Sequence, residues 1–249
     1  MSSALDFVTT AGEGRVGTMV DGRHSWSQHS WSQHSWSRQS WSQQSWSQGT
    51  SPRRNATASA VRRIRLRRAA VRYASHGWPL VPGACFTGDR FTCGPGCATV
   101  GCHPAREPWE SYATRDVDAV ARMWRLRPYS VLLATGVAFD VLEVPAHIGA
   151  STTGVSAPLA LTPLGRWMFL VRPGDELHPD LAHQFDVVLH GRGSWIPAPP
   201  VRTADGRVRW LVAPHETGWR VPDSRTVQRA LVAALPRLGV PDPTVPNAA

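Results

Sequence analysis

The chain contains no lysine: all 27 of its basic side chains are arginine, set against 18 acids. That absence excludes no fold, and it points to a GC-rich coding bias more than to chemistry. What remains is a formal charge of +9 and a pI near 10.8. A balance of that sign favours a polyanionic partner, nucleic acid first, with a solvated basic surface as the plain alternative. No run of about 18 apolar residues occurs, so no membrane span is expected. The first residues lack a charged stretch followed by an apolar core, which argues against a secretory signal and for a cytoplasmic setting. Cysteine is scarce, at four residues, and three of these crowd into residues 93–102 beside His103. That grouping fits a metal knuckle in a reducing compartment better than a disulfide framework.

Residues 24–48 repeat one pentapeptide five times, HSWSQ HSWSQ HSWSR QSWSQ QSWSQ. A tryptophan every fifth residue matches neither the helical nor the strand period, and Ser and Gln supply no apolar face. The segment is expected to be disordered, with stacking of Trp on bases as a weak functional possibility. A tandem fifteen-nucleotide repeat also encodes such a unit, which leaves the true start open between Met1 and a downstream position, and residues 1–57 are expected to lie outside the fold. The organisation expected is therefore a low-complexity segment over 1–57, one domain over 58–240, and a flexible tail over 241–249.

Within the domain, Leu66, Ala69, Ala70 and Tyr73 follow helical spacing, and Gly77 fits the residue past a helix end. Eight arginines and no acid lie between Arg53 and Arg72. Such a run either tracks phosphates, with Arg62, Arg63 and Arg67 as candidates, or is the solvated face of the helix. In TRDVDAVARMWRLRP, Thr114 or Asp116 can cap a second helix whose inner face is Val117, Val120, Ala121 and Trp124. Strands are expected at YSVLLATG, FDVLEV, RWMFLV, DVVLH and SWIPAP, and also at VRWLVA. A last helix follows, with Val227, Ala230, Leu231, Ala234 and Leu235 inward. Helix, strands and helix in this order make an α+β domain packed in layers.

Two groups of residues carry chemistry. Cys93, Cys97, Cys102 and His103 lie within eleven residues, with Cys85 upstream. Zinc takes four sulfur or nitrogen ligands tetrahedrally, and short Gly/Pro loops let close ligands converge. Adjacent Cys102 and His103 have difficulty sharing one ion, so the expected set is Cys93, Cys97, one of Cys102 or His103, and Cys85. Unligated thiols in a loop are the alternative. The second group is acidic. Asp140 and Glu143 lie three apart on one strand, so alternation sends them to opposite faces unless a bulge intervenes, and Pro145 offers no oxygen.

The succession RRAAVRYASHGWPLVPG, CGPGCATVGCHPAR, TRDVDAVARMW, VLLATG, FDVLEVP, TPLGRWMFLV and GSWIPAPP resembles the bifunctional DNA primase/polymerase (prim-pol) domain of the archaeo-eukaryotic primases. The form is the one common in high-GC actinobacteria, and the resemblance runs from about residue 60 to about 235. It implies an RNA-recognition-motif-like catalytic sheet with packed helices and a small Cys/His loop. It also implies metal-dependent nucleotide addition with magnesium or manganese, and DNA or nucleotide as partner. Position by position, Glu143 stands at the first catalytic aspartate and Pro145 at the second. Trp167 replaces the histidine and Val188 the third acid, with Asp186 two positions early on the same strand face as a substitute. The site implied is a remnant of Glu143, Asp186 and Asp140, and the function implied is DNA or nucleotide binding with little or no catalysis. An active polymerase and a zinc-stabilised protein-interaction module remain the alternatives.

Other residues carry less. Arg166 and Arg172 flank a strand and are candidates for phosphate contact. His147 and His190 read as hydrogen-bonded structural histidines, and no Ser or Cys is placed to form a triad with them. TGVAFD lacks the glycine pattern of a phosphate loop.

Overall fold

The computed structural model describes residues 52–184 and 186–235. The pentapeptide repeat and the C-terminal tail lie outside the described residues. Helix α1 (Pro52–Ser75) begins the domain and ends before Gly77, whose φ of +77° suits the turn past a helix end. Its buried face is Leu66, Ala70, Tyr73 and Ala74, close to the stripe that the spacing predicts.

Strand β1 (Leu80–Gly83) follows, then a short hairpin of β2 (Cys85–Phe86) and β3 (Phe91–Thr92) that opens the Cys/His loop. Helix α2 (Val117–Leu126) starts where Asp116 accepts the Ala119 N–H at 2.6 Å, which settles the cap on Asp116. Val120 and Trp124 are buried on it, but Val117 at the first turn is 37% exposed, outside the inner face expected for it. Position N1 of this helix simply precedes the turn that touches the sheet.

Strands β4 (Ser130–Ala134), β5 (Asp140–Pro145), β6 (Leu159–Leu161) and β7 (Arg166–Val171) carry the centre of the chain. They are followed by β8 (Val188–His190), β9 (Trp195–Pro197), a hairpin of β10 (Arg202–Thr203) and β11 (Gly206–Arg207), and β12 (Arg209–Val212). Short helices α3 (Ala146–Ser151) and α4 (Pro179–Ala182) fill connections, and α5 (Ser224–Ala234) closes the described chain.

Besides the two hairpins, the described residues form two larger antiparallel sheets, a three-stranded one in the order β1-β4-β9 and a five-stranded one in the order β12-β6-β7-β5-β8. The larger sheet is buried on both faces. Val141, Met168 and Leu170 on one face join the core under α1, α2 and the smaller sheet. Leu142, Val144, Phe169 and Val171 on the other pack with Ile148 of α3, Leu181 of α4, and Val227 and Leu231 of α5. This is the layered α+β arrangement that the order of elements predicts. Among the described residues no helix is long and apolar enough to cross a membrane.

At the N-terminal end the layers are fastened by Tyr73, stacked on Trp78 with ring centroids 5.7 Å apart. Its hydroxyl donates to the Pro199 carbonyl at 2.7 Å and accepts from Trp210 Nε1 at 2.9 Å. Both partners are distant in sequence, and a buried hydroxyl so satisfied fixes α1 against the later strands.

Candidate active site and Cys/His loop

Strand β5 pairs with β7 without interruption from Asp140↔Val171 to Pro145↔Arg166, so no bulge occurs at Leu142. Alternation then holds. Glu143 and Pro145 share one face with Val141, while Asp140 shares the other with Leu142 and Val144. On the partner strands the register sets Met168 opposite Glu143, Arg166 opposite Pro145 and Val188 opposite Glu143. His190 stands opposite Val141 and so faces the same way. One face of three neighbouring strands therefore gathers positions 143, 145, 166, 168, 188 and 190.

The expectation for Trp167 needs correction here. Trp167 pairs with Val144 and faces the opposite layer, where its indole lies against Gly149 of α3. A Cβ on Gly149 would come within 2.6 Å of Trp167 Cδ2, so glycine is required for this close approach. The position on β7 that shares Glu143's face is Met168, not Trp167, and Met168 is wholly buried. Asp186 is also not where the sequence suggests. Strand β8 starts only at Val188, so Asp186 lies in the turn before it with an exposed side chain. What it brings to the site is its backbone carbonyl, which accepts from Arg166 Nη2.

Glu143 is only 6% exposed, and both of its oxygens are engaged. Arg166 Nε donates to Oε1 at 2.7 Å, and Oε2 lies 2.9 Å from His190 Nε2, with His190 Nδ1 in turn 3.1 Å from Ser194 Oγ. Burial pushes the Glu143 carboxyl toward its neutral form. The hydrogen bond and charge of His190, and then Arg166, outweigh that and hold its pKa below the usual value. A pair of divalent ions for phosphoryl transfer needs several carboxylate oxygens converging on both ions. Here one carboxylate faces the site and its oxygens are already taken by a guanidinium and an imidazole. The residues present do not fit a two-metal clamp.

Asp140, on the other face, is 3% exposed. Its Oδ2 accepts from the Gly174 N–H at 2.9 Å, while Oδ1 is buried without a hydrogen-bond partner. The Gly136 N–H helps this carboxylate through its dipole, but it is committed to the Phe139 carbonyl at 2.8 Å. Burial raises the Asp140 pKa in spite of these N–H groups. A raised folded-state pKa contributes stability below the unfolded value, which is lost as pH rises through the folded value. Asp140→Asn keeps the acceptor for Gly174 and removes the buried charge. It should leave stability at pH 7 unchanged or raised by about 1 kcal/mol, and it should flatten this component of the acid limb. Urea unfolding at pH 4 and pH 7 measures both, and a clear loss at pH 7 would contradict the assignment of Asp140 to a buried structural position.

In the loop, Cys93 Sγ, Cys97 Sγ and a ring nitrogen of His103 lie within 4.8 Å of one another. His103 Nε2 is 3.4 Å from Cys97 Sγ, and its Nδ1 is 2.8 Å from the Gly101 carbonyl, which orients the ring toward the thiols. Cys102 does not join them. Its thiol packs into the core, where burial raises its pKa to about 12, as expected of a side chain adjacent to a ligand and pointing away from it. Cys85 also lies outside the group. It faces the core from β2, and burial raises its pKa as well.

The candidate arginines divide. Arg63 and Arg67 donate to the Arg125 and Ala121 carbonyls of α2, both at 3.2 Å, and so tie the two helices together. Arg166 is taken by Glu143, and Arg172 lies 3.7 Å from Asp223 with both side chains well exposed. Arg62 donates to the Phe86 carbonyl at 2.6 Å and lies over the Phe86 ring.

Fold and site together define a class, an α+β domain whose antiparallel sheet gathers one paired acid beside a separate Cys/His loop. Residues 70–230 match the family described as Bifunctional DNA primase/polymerase, N-terminal (Prim-Pol). The chain belongs to that family. No curated protein matches it.

Proposed function

We propose that this chain is a prim-pol domain that binds DNA or nucleotide with little or no nucleotide addition. The observation that carries the reading is Glu143, whose two oxygens are spent on Arg166 and His190 where catalysis would need them for metal. Asp140 points to the other layer and Asp186 to solvent, so neither supplies the missing ligands. The net charge of +9 supports an association with nucleic acid that weakens with salt. The Cys93, Cys97 and His103 group is read as a structural zinc site, with the fourth position filled from outside this trio. Its role is to order the loop beside α1.

Primer synthesis and extension with magnesium or manganese test the central claim. Incorporation should stay at background for the unaltered protein and for Glu143→Ala alike. Incorporation by the unaltered protein that Glu143→Ala abolishes would establish an active polymerase instead.

A further inference from the structure

A cavity of about 920 Å³ lies away from Glu143, between the N-terminal part of α1 and the β10–β11 hairpin. Four arginines line it: Arg62 and Arg65 from α1, and Arg202 and Arg207 from the hairpin. None of the four forms an ion pair among the described residues. Among those residues no acid lines the cavity; Asp89 accepts from the Thr87 hydroxyl of its wall at 3.0 Å, and Asp205 lies in the turn of the hairpin that carries Arg202 and Arg207. Apolar contact comes from Val61, Leu66, Pro200 and Val201.

Two features bear on this charge, of which Arg65, Arg202 and Arg207 are exposed to solvent and Arg62 is partly buried. Arg202 and Arg207 are direct cross-strand partners in a two-stranded hairpin, an arrangement in which like charges destabilise the pair. Arg62 is half-buried, and burial lowers its pKa; Cys85 opposes that shift, and Arg202 adds the smallest contribution, a further lowering. Repulsion maintained around a cavity is relieved by an anion with several oxygens, and guanidinium groups match phosphate in pairs. The volume falls in the range of small-ligand and cofactor sites.

We propose that this cavity binds the phosphates of a nucleotide, with the apolar wall receiving its base or sugar. The same chemistry is offered by a free nucleoside triphosphate and by the end of a single strand. The inference rests on the nucleotide-binding reading above but places the ligand off the sheet face that carries Glu143. Arg62 and Arg65 also precede the residues that the family match covers, 70–230.

The test uses the full chain and a fluorescent single-stranded oligonucleotide of about 20 nucleotides, with unlabelled dATP and inorganic triphosphate as competitors. Arg202→Ala with Arg207→Ala should weaken oligonucleotide binding at least about tenfold at low salt. Loss of two phosphate contacts should also reduce the salt slope by about 1.4. The double variant should melt no lower than the parent, because the repulsive cross-strand pair is gone. Arg225→Ala, an exposed arginine paired with Asp175, should change binding less than about twofold. Displacement of the oligonucleotide by dATP identifies the triphosphate as the ligand. Binding that dATP does not displace, yet that falls in the double variant, identifies the strand end. Binding unchanged in the double variant would overturn the cavity and leave the nucleotide-binding reading standing. No binding of any probe would overturn both.

Discussion

Glu143→Ala should lower the unfolding free energy by about 3 kcal/mol at pH 7, the loss expected when one member of a buried ion pair is removed. The substitution removes the acid from beside His190, which is 4% exposed, and Arg166, whose side chain is 21% exposed. Glu143→Gln, which keeps an acceptor but loses the charge, should fall between the parent and the alanine variant. Arg166→Ala should be strongly non-additive with Glu143→Ala, because both remove the same interaction. The pH dependence has a definite sign. Glu143 has a lowered folded-state pKa, so its stabilisation is present above about 4.3, the ordinary glutamate value, and disappears as pH falls through the folded value. A parent and a Glu143→Ala protein with equal stability at pH 7, measured by urea unfolding, would refute the structural role. A metal-binding carboxylate would show the opposite pattern, since a catalytic acid relieved of its neighbours seldom costs stability when it is removed.

Zinc removal is the second large effect. Purified chain should contain about one zinc, and a strong chelator should lower the melting temperature by several degrees, because metal binding in such a loop is folding energy. Cys93→Ser or His103→Ala should reproduce the chelator's effect and abolish its further action. Cys102→Ser should retain the metal while costing packing, since its thiol faces the core. Cys85→Ser separates the remaining possibility, because loss of zinc there would bring a fourth ligand from β2. Metal-free protein whose melting is indifferent to chelator would end the zinc reading.

Helices α1, α2 and α5 were legible because their apolar positions recur at helical spacing and Asp116 stands where a cap belongs. The separation of Asp140 from Glu143 was legible for a similar reason, since strand alternation is a property of one segment. Pairing between segments is another matter. Strands β5 and β7 are separated by α3 and β6, so nothing local to RWMFLV reveals that Met168 faces Glu143 and Trp167 faces α3. Arg166 is invisible as a partner of Glu143 for the same reason. His190 did leave a signal, two residues beyond Val188 on the same strand and therefore on the same face. Asp186 failed because strand β8 is only three residues long, and alternation cannot be extended into a turn. Within the Cys/His loop, adjacent Cys102 and His103 had to diverge, but which of them turned inward depended on the core that the loop covers.

Tyr73 has a consequence for how the protein is made. Its hydroxyl partners, Pro199 and Trp210, follow it by 126 and 137 residues. At a synthesis rate of about 5–20 residues per second, roughly 7–27 s separate the emergence of this tyrosine from that of Trp210. Helix α1 can meet α2 and β4 well before then, but its last turn must wait with a phenol and a tryptophan face uncovered. A nascent chain stalled near residue 200 should therefore hold α1 loosely and expose aromatic surface to whatever meets the ribosome's exit. The final strands act as the clasp that ends that interval.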